Sequence, residues 1–351
     1  MKFRHSLGLL AALAARSPAF AQMKLNDTVT ITGWATASYQ QWSYSGAGTA
    51  DSGNLDAALF GAVITPPKTP VTATLSAYYR PSSEGGVNPE GGELTLLDAY
   101  IAYAPSGAVT ITVGKFLSYL GYESFYFDLD NMVSLANQQF LAPIPGYHEG
   151  IKLDYQPDKT DATGVAVVDS LYQKPGYAAT EGDGEFKHDA GFEAYYQNTA
   201  VTNLTVWAGI GYQTPVKPGV DTSEVADPSG HSSTVLDLWV SYNMDANHDT
   251  LAAEEIYKDG GVGNQGSNWL VYFQYNMGVK AYTWFSVSGE DVTDGISYTK
   301  YSLAPTYNIT PNLAVRAQYS YTSYDRLDST YNFGWTSPLS NYFGVEMIAK
   351  F

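Results

Sequence analysis

The amino-acid sequence predicts an all-β protein, a closed antiparallel transmembrane β-barrel of about sixteen strands with short periplasmic turns and long extracellular loops. Three observations predict this fold class. Apolar and polar residues alternate with a period of two, the connections between the alternating segments are short and long in turn, and the 351 residues include 29 Tyr. Lipid cannot hydrogen bond to backbone groups, so strands cross a bilayer only when the sheet closes and leaves no edge.

The composition excludes several other classes of protein. A helical membrane protein needs runs of about 18 apolar residues, and after the N-terminus polar residues interrupt every apolar stretch. A disordered chain is poor in aromatic residues, whereas aromatic residues make up 14% of this chain. The formal charge of −17 leaves no basic stripe for phosphates, so we expect no nucleic-acid partner. Because the chain has no Cys, disulfides contribute nothing to its stability.

Residues 1–21 predict a secretory signal peptide. Lys2 and Arg4 give a positive start, residues 7–15 form an apolar run too short to span a bilayer, and Ala19 and Ala21 frame a cleavage site. A first buried helix is the alternative interpretation. After export we expect residues 22–351 to form a single barrel domain in the cell outer membrane.

Sixteen segments carry the period of two. In the third of them, Val71, Ala73 and Leu75 share one face of a strand, while Thr72 and Thr74 share the other. The segments are 28–40, 54–65, 70–80, 93–104, 108–116, 147–157, 162–172, 188–198, 202–213, 233–243, 249–258, 267–277, 280–290, 297–308, 312–325 and 341–351. Segment 249–258 also suits a helix, because it contains an Ala-Ala-Glu-Glu run.

Short and long connections alternate between these segments. Tight turns rich in Pro, Gly, Asn and Asp alternate with longer connections at 41–53, 81–92, 117–146, 173–187, 214–232, 259–266, 291–296 and 326–340. Outer-membrane barrels show this pattern because their turns face the periplasm and their loops face outside. Both chain ends fall on the short-turn side, so we expect the chain to begin and end in the periplasm.

Tyrosines mark the expected membrane interface. Aromatic rings with a polar tip favour the bilayer interface, whereas strand propensity alone is the alternative explanation. Six tyrosines share the predicted lipid-facing side at the turn ends of segments: Tyr103, Tyr155, Tyr196, Tyr242, Tyr275 and Tyr307.

The last segment ends on an aromatic residue. Phe343, Val345, Met347 and Phe351 lie on one predicted face, and this pattern resembles the C-terminal assembly signal of bacterial outer-membrane proteins. We therefore expect outer-membrane lipid, periplasmic chaperones and the barrel-assembly machinery as partners.

The other strand face is predicted to line the lumen and carries charges. Its acids include Asp56, Asp98, Asp154, Glu193, Asp237 and Glu346. Rings of charged side chains set the selectivity of a pore, and solvated or paired charges are the alternative reading. Trp34, Trp207, Trp239 and Trp284 fall on the same face, where they would stack on sugars or fill the lumen and narrow it.

Connection 117–146 is long, aromatic and acidic, and long loops without regular structure are usually functional. In general porins an equivalent loop folds into the barrel. By that resemblance we expect Tyr122, Glu123, Asp128 and Asp130 to approach the constriction. Basic candidates on the facing walls are Arg80, Lys152 and Arg316. Packing of the loop over the outer mouth is the alternative.

A short signature resembles a known family. The signature consists, in chain order, of Gly114-Lys115-Phe116, Leu120-Gly121-Tyr122-Glu123, Asn131, Pro143 and His148-Glu149-Gly150. They are similar to the central signature of the OmpL-like outer-membrane β-barrel porin family. The resemblance implies a passive pore without a defined ligand.

The sequence therefore predicts an outer-membrane porin for passive diffusion of small hydrophilic solutes or ions. Two alternatives stay open, a non-conducting barrel acting as an adhesin or structural anchor, and an outer-membrane hydrolase. A hydrolase needs Ser and His together, and the five His are dispersed. We expect no enzyme activity, cofactor or metal site. Asp128 and Asp130 offer oxygens for Ca²⁺ but lack the EF-hand pattern. Trimers are common in general porins, so a homotrimer is compatible with the predicted porin.

Overall fold

A computed structural model describes residues 23–44, 48–80, 93–123, 144–171, 190–215, 232–244, 249–260, 265–293, 295–326 and 339–351. Within these ranges it describes only the backbone at 52, 54–56, 80, 93, 95 and 339. The predicted cleavage-site residues Ala19 and Ala21 lie outside the described residues.

The described residues form a two-residue strand and sixteen long strands. The strands are β1 (Met23–Lys24), β2 (Val29–Tyr44), β3 (Gly48–Ile64), β4 (Val71–Arg80), β5 (Glu93–Tyr103), β6 (Val109–Leu117), β7 (Tyr147–Tyr155), β8 (Asp161–Val168), β9 (Gly191–Asn198), β10 (Leu204–Gln213), β11 (Ser233–Asn243), β12 (Thr250–Gly260), β13 (Gly266–Asn276), β14 (Ala281–Val292), β15 (Ser297–Thr310), β16 (Leu313–Arg326) and β17 (Leu339–Lys350). Among these residues no helix is long and apolar enough to cross a membrane.

The sixteen long strands close into one antiparallel barrel. Each pairs with its neighbours in the chain, and β17 pairs with β2 from Leu339–Tyr44 to Lys350–Trp34. This closure confirms the predicted fold class. β2 begins and β17 ends at the end of the barrel that carries the tight turns, which we call the turn end. The opposite end is the loop end.

The C-terminal residue completes the seam between β17 and β2. Gly33 and Phe351 exchange two backbone hydrogen bonds of 2.8 Å. A Cβ added at Gly33 would lie 2.4 Å from the Phe351 ring, so the ring covers the glycine. Beyond this point β1 pairs with Thr30 and Ile31 of β2, and the edge left by the end of β17 is covered.

Two sequence predictions are wrong at the level of single segments. The long connection expected at 41–53 is mostly strand, because β2 and β3 stay paired as far as Tyr44 and Gly48. The connection expected at 291–296 is shorter, since β14 continues to Val292 and β15 begins at Ser297. The helical alternative for 249–258 also fails, because β12 pairs with both β11 and β13.

The two faces of the barrel differ as the alternation predicts. Outward residues include large apolar side chains, and the six turn-end tyrosines are 39–51% exposed. Phe343, Val345, Met347 and Phe351 also face outward and are exposed. Polar and charged side chains face inward, together with the four tryptophans, and most of them are buried.

Candidate pore constriction

The chain turns into the barrel directly after β6. Residues 118–123, which we call the inner segment, are buried in the lumen. The inner segment runs along the wall from β9 to β12, where its hydrogen-bond partners lie. The described start of loop 117–146 therefore lies inside the barrel rather than over its mouth.

Three wall carboxylates hold the backbone of the inner segment. The Tyr119 N–H donates to Glu193 over 3.1 Å and the Gly121 N–H donates to Asp237 over 2.8 Å. The Tyr122 N–H donates to Glu254. A segment without regular structure needs such acceptors when it is buried. The carboxylates therefore fix both the position and the path of the segment.

Leu120 anchors the middle of the inner segment in an apolar pocket with Leu171, Val235 and Ile256. The wall beneath it is β10, which carries glycine at the contact. A Cβ added at Gly209 would lie 2.7 Å from Leu120 Cδ2. β10 thus leaves room for the leucine by omitting a side chain.

Gly121 gives the inner segment its bend. Its φ of +94° lies in the left-handed region that favours glycine. A Cβ there would also lie 2.5 Å from Ile144. Any other residue at this position would strain the backbone and displace Ile144.

Stacked rings line the wall next to the first half of the inner segment. Tyr119 lies 4.5 Å from Tyr195, and Tyr195 stacks on Trp207 at 4.3 Å with 5° between the planes. Trp207 stacks on Trp239 at 5.4 Å. Because Trp207 is only 1% exposed, its faces are covered by protein. In this arrangement the rings pack on one another along the wall and offer no free face to a sugar.

The array continues past the tip of the inner segment. Tyr122 packs edge-on against Trp239 at 5.3 Å and lies 6.2 Å from Tyr272. Tyr272 contacts Trp284 at 3.9 Å between ring centroids. Tyr122 therefore joins two groups of wall aromatics.

Lys152 and Asp154 of β7 contact the beginning of the inner segment. The Lys152 amine lies 4.8 Å from the Phe116 ring centroid and 5.1 Å from that of Tyr119. The Tyr119 hydroxyl donates to Asp154 over 2.8 Å, and the Tyr195 hydroxyl does so over 3.3 Å. Lys152 thus lies against the inner segment rather than across the lumen from it.

A second group of charges lies near the tip of the inner segment. Glu123 is buried and interacts with Lys300 of β15, which also interacts with Glu290 of β14. On β16, Arg316 lies 3.7 Å from Glu346 of β17. Both signs therefore occur together in this half of the lumen.

The other predicted residues fall in three groups. Asp98 is on the inner face and accepts a 2.7 Å hydrogen bond from the Ser76 hydroxyl. Asp56 lies in β3 and Arg80 ends β4, but the description covers only their backbone. Asp128 and Asp130 lie outside the described residues.

Ser118, His148 and Glu193 meet in a buried cluster that bears on the hydrolase alternative. The Ser118 hydroxyl donates to Glu193 Oε1 over 2.5 Å, and His148 Nε2 lies 3.3 Å from Glu193 Oε2. A nucleophilic serine needs its base within hydrogen-bond reach. Here the carboxylate binds both groups and the hydroxyl points to Glu193. Among the described residues, no group of three His, Asp or Glu side chains is placed to hold a metal.

Sequence reasoning missed Ser118, Glu254 and Glu290. Glu254 stands next to Glu255, and only the strand register decides which of the two faces inward. The two-residue period of β12 places Ala252, Glu254 and Ile256 on the buried face, so an unambiguous strand assignment was the signal that would have identified Glu254.

The comparisons agree with this architecture. The family described as "Putative beta-barrel porin-2, OmpL-like" matches residues 73–351. No curated protein matches the sequence. Solved structures with a similar fold include Pseudomonas putida OprB at high pH, at 14% identity and a TM-score of 0.64 over 92% of this chain and 94% of that chain. Salmonella typhi OmpF in complex with daunomycin is 16% identical, with a TM-score of 0.66 over 94% and 100%. The trimer form of Vibrio cholerae OmpT is 13% identical, with a TM-score of 0.55 over 93% and 100%.

Proposed function

Because the chain belongs to the OmpL-like β-barrel porin-2 family, we propose that it forms a water-filled channel for passive diffusion of small hydrophilic solutes or ions. One observation carries the proposal. The inner segment is fixed to the wall inside a closed sixteen-stranded barrel by Glu193, Asp237 and Glu254. Barrels of this strand number have room for an aqueous channel, and a segment fixed inside the barrel narrows such a channel.

The polar inner faces of β14 to β16 support an aqueous lumen. The inner faces of β14 to β16 carry small hydroxyl and amide side chains: Ser286, Ser288, Ser302, Gln318, Ser320 and Thr322. All six are buried, and the Ser302 and Ser320 hydroxyls are hydrogen bonded to each other over 2.8 Å. A polar inner face is compatible with water in the lumen, whereas an apolar one would favour dewetting. An anchor or adhesin needs no such lining, so the porin is the better-supported function.

The constriction is proposed to lie between the tip of the inner segment and this wall. Tyr122 and Glu123 form its edge on the inner segment, with Arg316 and Glu346 on the wall near the tip. Asp128 and Asp130 are proposed to extend the acidic edge, and Arg80 and Lys152 to contribute basic charge. Charges of both signs across a narrow passage orient dipolar solutes and set ion preference.

Export and assembly complete the proposal. Residues 1–21 direct export and are removed after Ala21, and the chain assembles into the outer membrane with Phe351 at the barrel seam. The likeness to OmpT in its trimer form makes a homotrimer a reasonable assembly.

Uptake by liposomes containing the purified barrel tests this function. We expect neutral sugars to enter at rates that fall steeply with sugar size, because the constriction excludes the larger ones. Asp259→Asn, which alters an exposed side chain at the loop end of β12, should leave these rates unchanged. Liposomes with folded protein that stay impermeable to the smallest sugar would contradict the porin and favour an anchor or adhesin.

A further inference from the structure

Two of the carboxyl groups that hold the inner segment lie next to each other. Asp237 of β11 pairs with Ile256, and Glu254 of β12 pairs with Trp239. The two acids are therefore diagonal neighbours on the inner face. Asp237 is 0% and Glu254 5% exposed, and they bind the N–H groups of the consecutive residues Gly121 and Tyr122, so the two carboxyl groups lie side by side.

Two of the four carboxyl oxygens of this pair lack a hydrogen-bond donor among the described residues. Asp237 Oδ2 accepts the Gly121 N–H, and Glu254 Oε1 accepts the Tyr122 N–H. The remaining oxygens, Asp237 Oδ1 and Glu254 Oε2, have no donor among the described residues. An ionised carboxylate only accepts hydrogen bonds, whereas a protonated one also donates. Contact between the two carboxyl groups therefore becomes a hydrogen bond only if one of them carries a proton.

The charges around the pair also favour a protonated carboxyl group. Glu193 from β9 and Glu123 from the inner segment add negative charge beside the pair. On the other side of Asp237, Lys258 is buried on the inner face of β12, two residues from Ile256. Glu193 itself is in a different situation, because His148 lies 3.3 Å away. A single cation cannot offset two neighbouring buried carboxylates that also face Glu193 and Glu123, so one of the two retains a proton.

We propose that Asp237 and Glu254 share one proton at neutral pH and that this proton holds the inner segment on the wall. The neutral partner donates to the ionised one, and both keep an oxygen for the segment's N–H groups. Removing the proton places two adjacent negative charges beneath Gly121 and Tyr122. The pair thus consists of positioning residues, and only its effect on solute flow rests on the proposed function.

The proposal gives stability a definite pH dependence. The folded barrel holds a proton that the unfolded chain releases at neutral pH, so the folded state binds more protons and loses stability as pH rises. The unfolding equilibrium constant should then rise by up to about tenfold per pH unit until the pair ionises. Folded barrel should also release its inner segment more often in alkaline solution.

Glu254→Gln separates the shared proton from the other contacts. The amide can donate to Asp237 in place of the proton and still accept the Tyr122 N–H. Glu193→Gln is the matched comparison, since that carboxylate faces the His148 ring nitrogen at 3.3 Å rather than a second acid. Asp259→Asn, an exposed acid on the same strand as Glu254, is the control for removing a carboxylate.

Infrared spectra and melting curves of the purified barrels give the readouts. At neutral pH we expect the C=O stretching band of a protonated carboxyl group in the wild type, its loss in Glu254→Gln and its retention in Asp259→Asn. Glu254→Gln should keep the wild-type melting temperature at neutral pH and lose the alkaline decrease, whereas Glu193→Gln should melt earlier.

Two spectroscopic results would overturn the proposal: no such band in the wild type, or a band that Glu254→Gln leaves unchanged. Destabilisation of Glu254→Gln equal to that of Glu193→Gln would also contradict it. If Glu254→Gln does not fold, Asp237→Asn removes the other partner and should abolish the same band. Neither readout needs a conducting channel, so failure here is distinct from failure of the porin function.

Discussion

Replacing Glu193 with Ala should release the beginning of the inner segment. Glu193 accepts the Ser118 hydroxyl over 2.5 Å and the Tyr119 N–H over 3.1 Å. Both donors are buried, and the variant leaves them without their acceptor. His148 would lose its carboxylate partner at 3.3 Å as well. The substitution leaves the strands of the barrel intact, because the backbone pairing of β9 does not use this side chain.

The size of the effect follows from the two lost bonds. A hydrogen bond to a charged group contributes about 1.5–3 kcal/mol. The two bonds to Glu193 together therefore stabilise the inner segment in its place on the wall by about 3–6 kcal/mol. A factor of ten in a population corresponds to about 1.4 kcal/mol. The released state should therefore become about 10² to 10⁴ times more populated relative to the held state.

Single-channel recording measures this release. We expect Glu193→Ala to give a larger mean conductance with frequent transitions between levels, while Asp259→Asn gives the wild-type conductance. Heat-modifiable mobility in a detergent gel shows that each variant has folded. A folded Glu193→Ala barrel with wild-type conductance and noise would refute the reasoning, because the carboxylate would then have no part in holding the segment.

Three further substitutions test other parts of the structure. Gly33→Ala places a Cβ 2.4 Å from the Phe351 ring; overpacking costs about 1–3 kcal/mol, so we expect a lower melting temperature, and an unchanged one would disprove the role of the seam. Gly209→Val should push Leu120 off the wall and lower single-channel conductance, whereas equal or higher conductance would argue against the packing. Leu238→Arg puts a charge on an outward position that is 58% exposed; the cost near the bilayer midplane is about 2–4 kcal/mol, and full stability in lipid would contradict a lipid-facing wall.

The strands were predictable because their signal is local. Each strand meets lipid on one side and water or protein on the other, so its sequence alternates whatever the neighbouring strands are. The same logic failed at 41–53, where β2 and β3 run on into polar, Gly-rich sequence. Alternation there no longer distinguishes a strand from a loop, and only pairing with the partner strand extends the hairpin.

The path of the inner segment was predictable in outline only. Length and aromatic content marked loop 117–146, and Tyr122 and Glu123 do lie in the lumen. The acceptors for the inner segment come from β9, β11 and β12, and their meeting depends on strand register and barrel closure. Glu254 shows the limit clearly, because a shift of one residue would exchange it with Glu255 and turn the acceptor outward.

The most direct measurement is the single-channel current of the purified, folded protein in a planar bilayer. A water-filled pore narrowed by the inner segment predicts discrete current steps whose conductance rises in proportion to the conductivity of the salt solution. Absence of such steps, at a density where folded barrels are shown to be inserted in the bilayer, would contradict the channel itself.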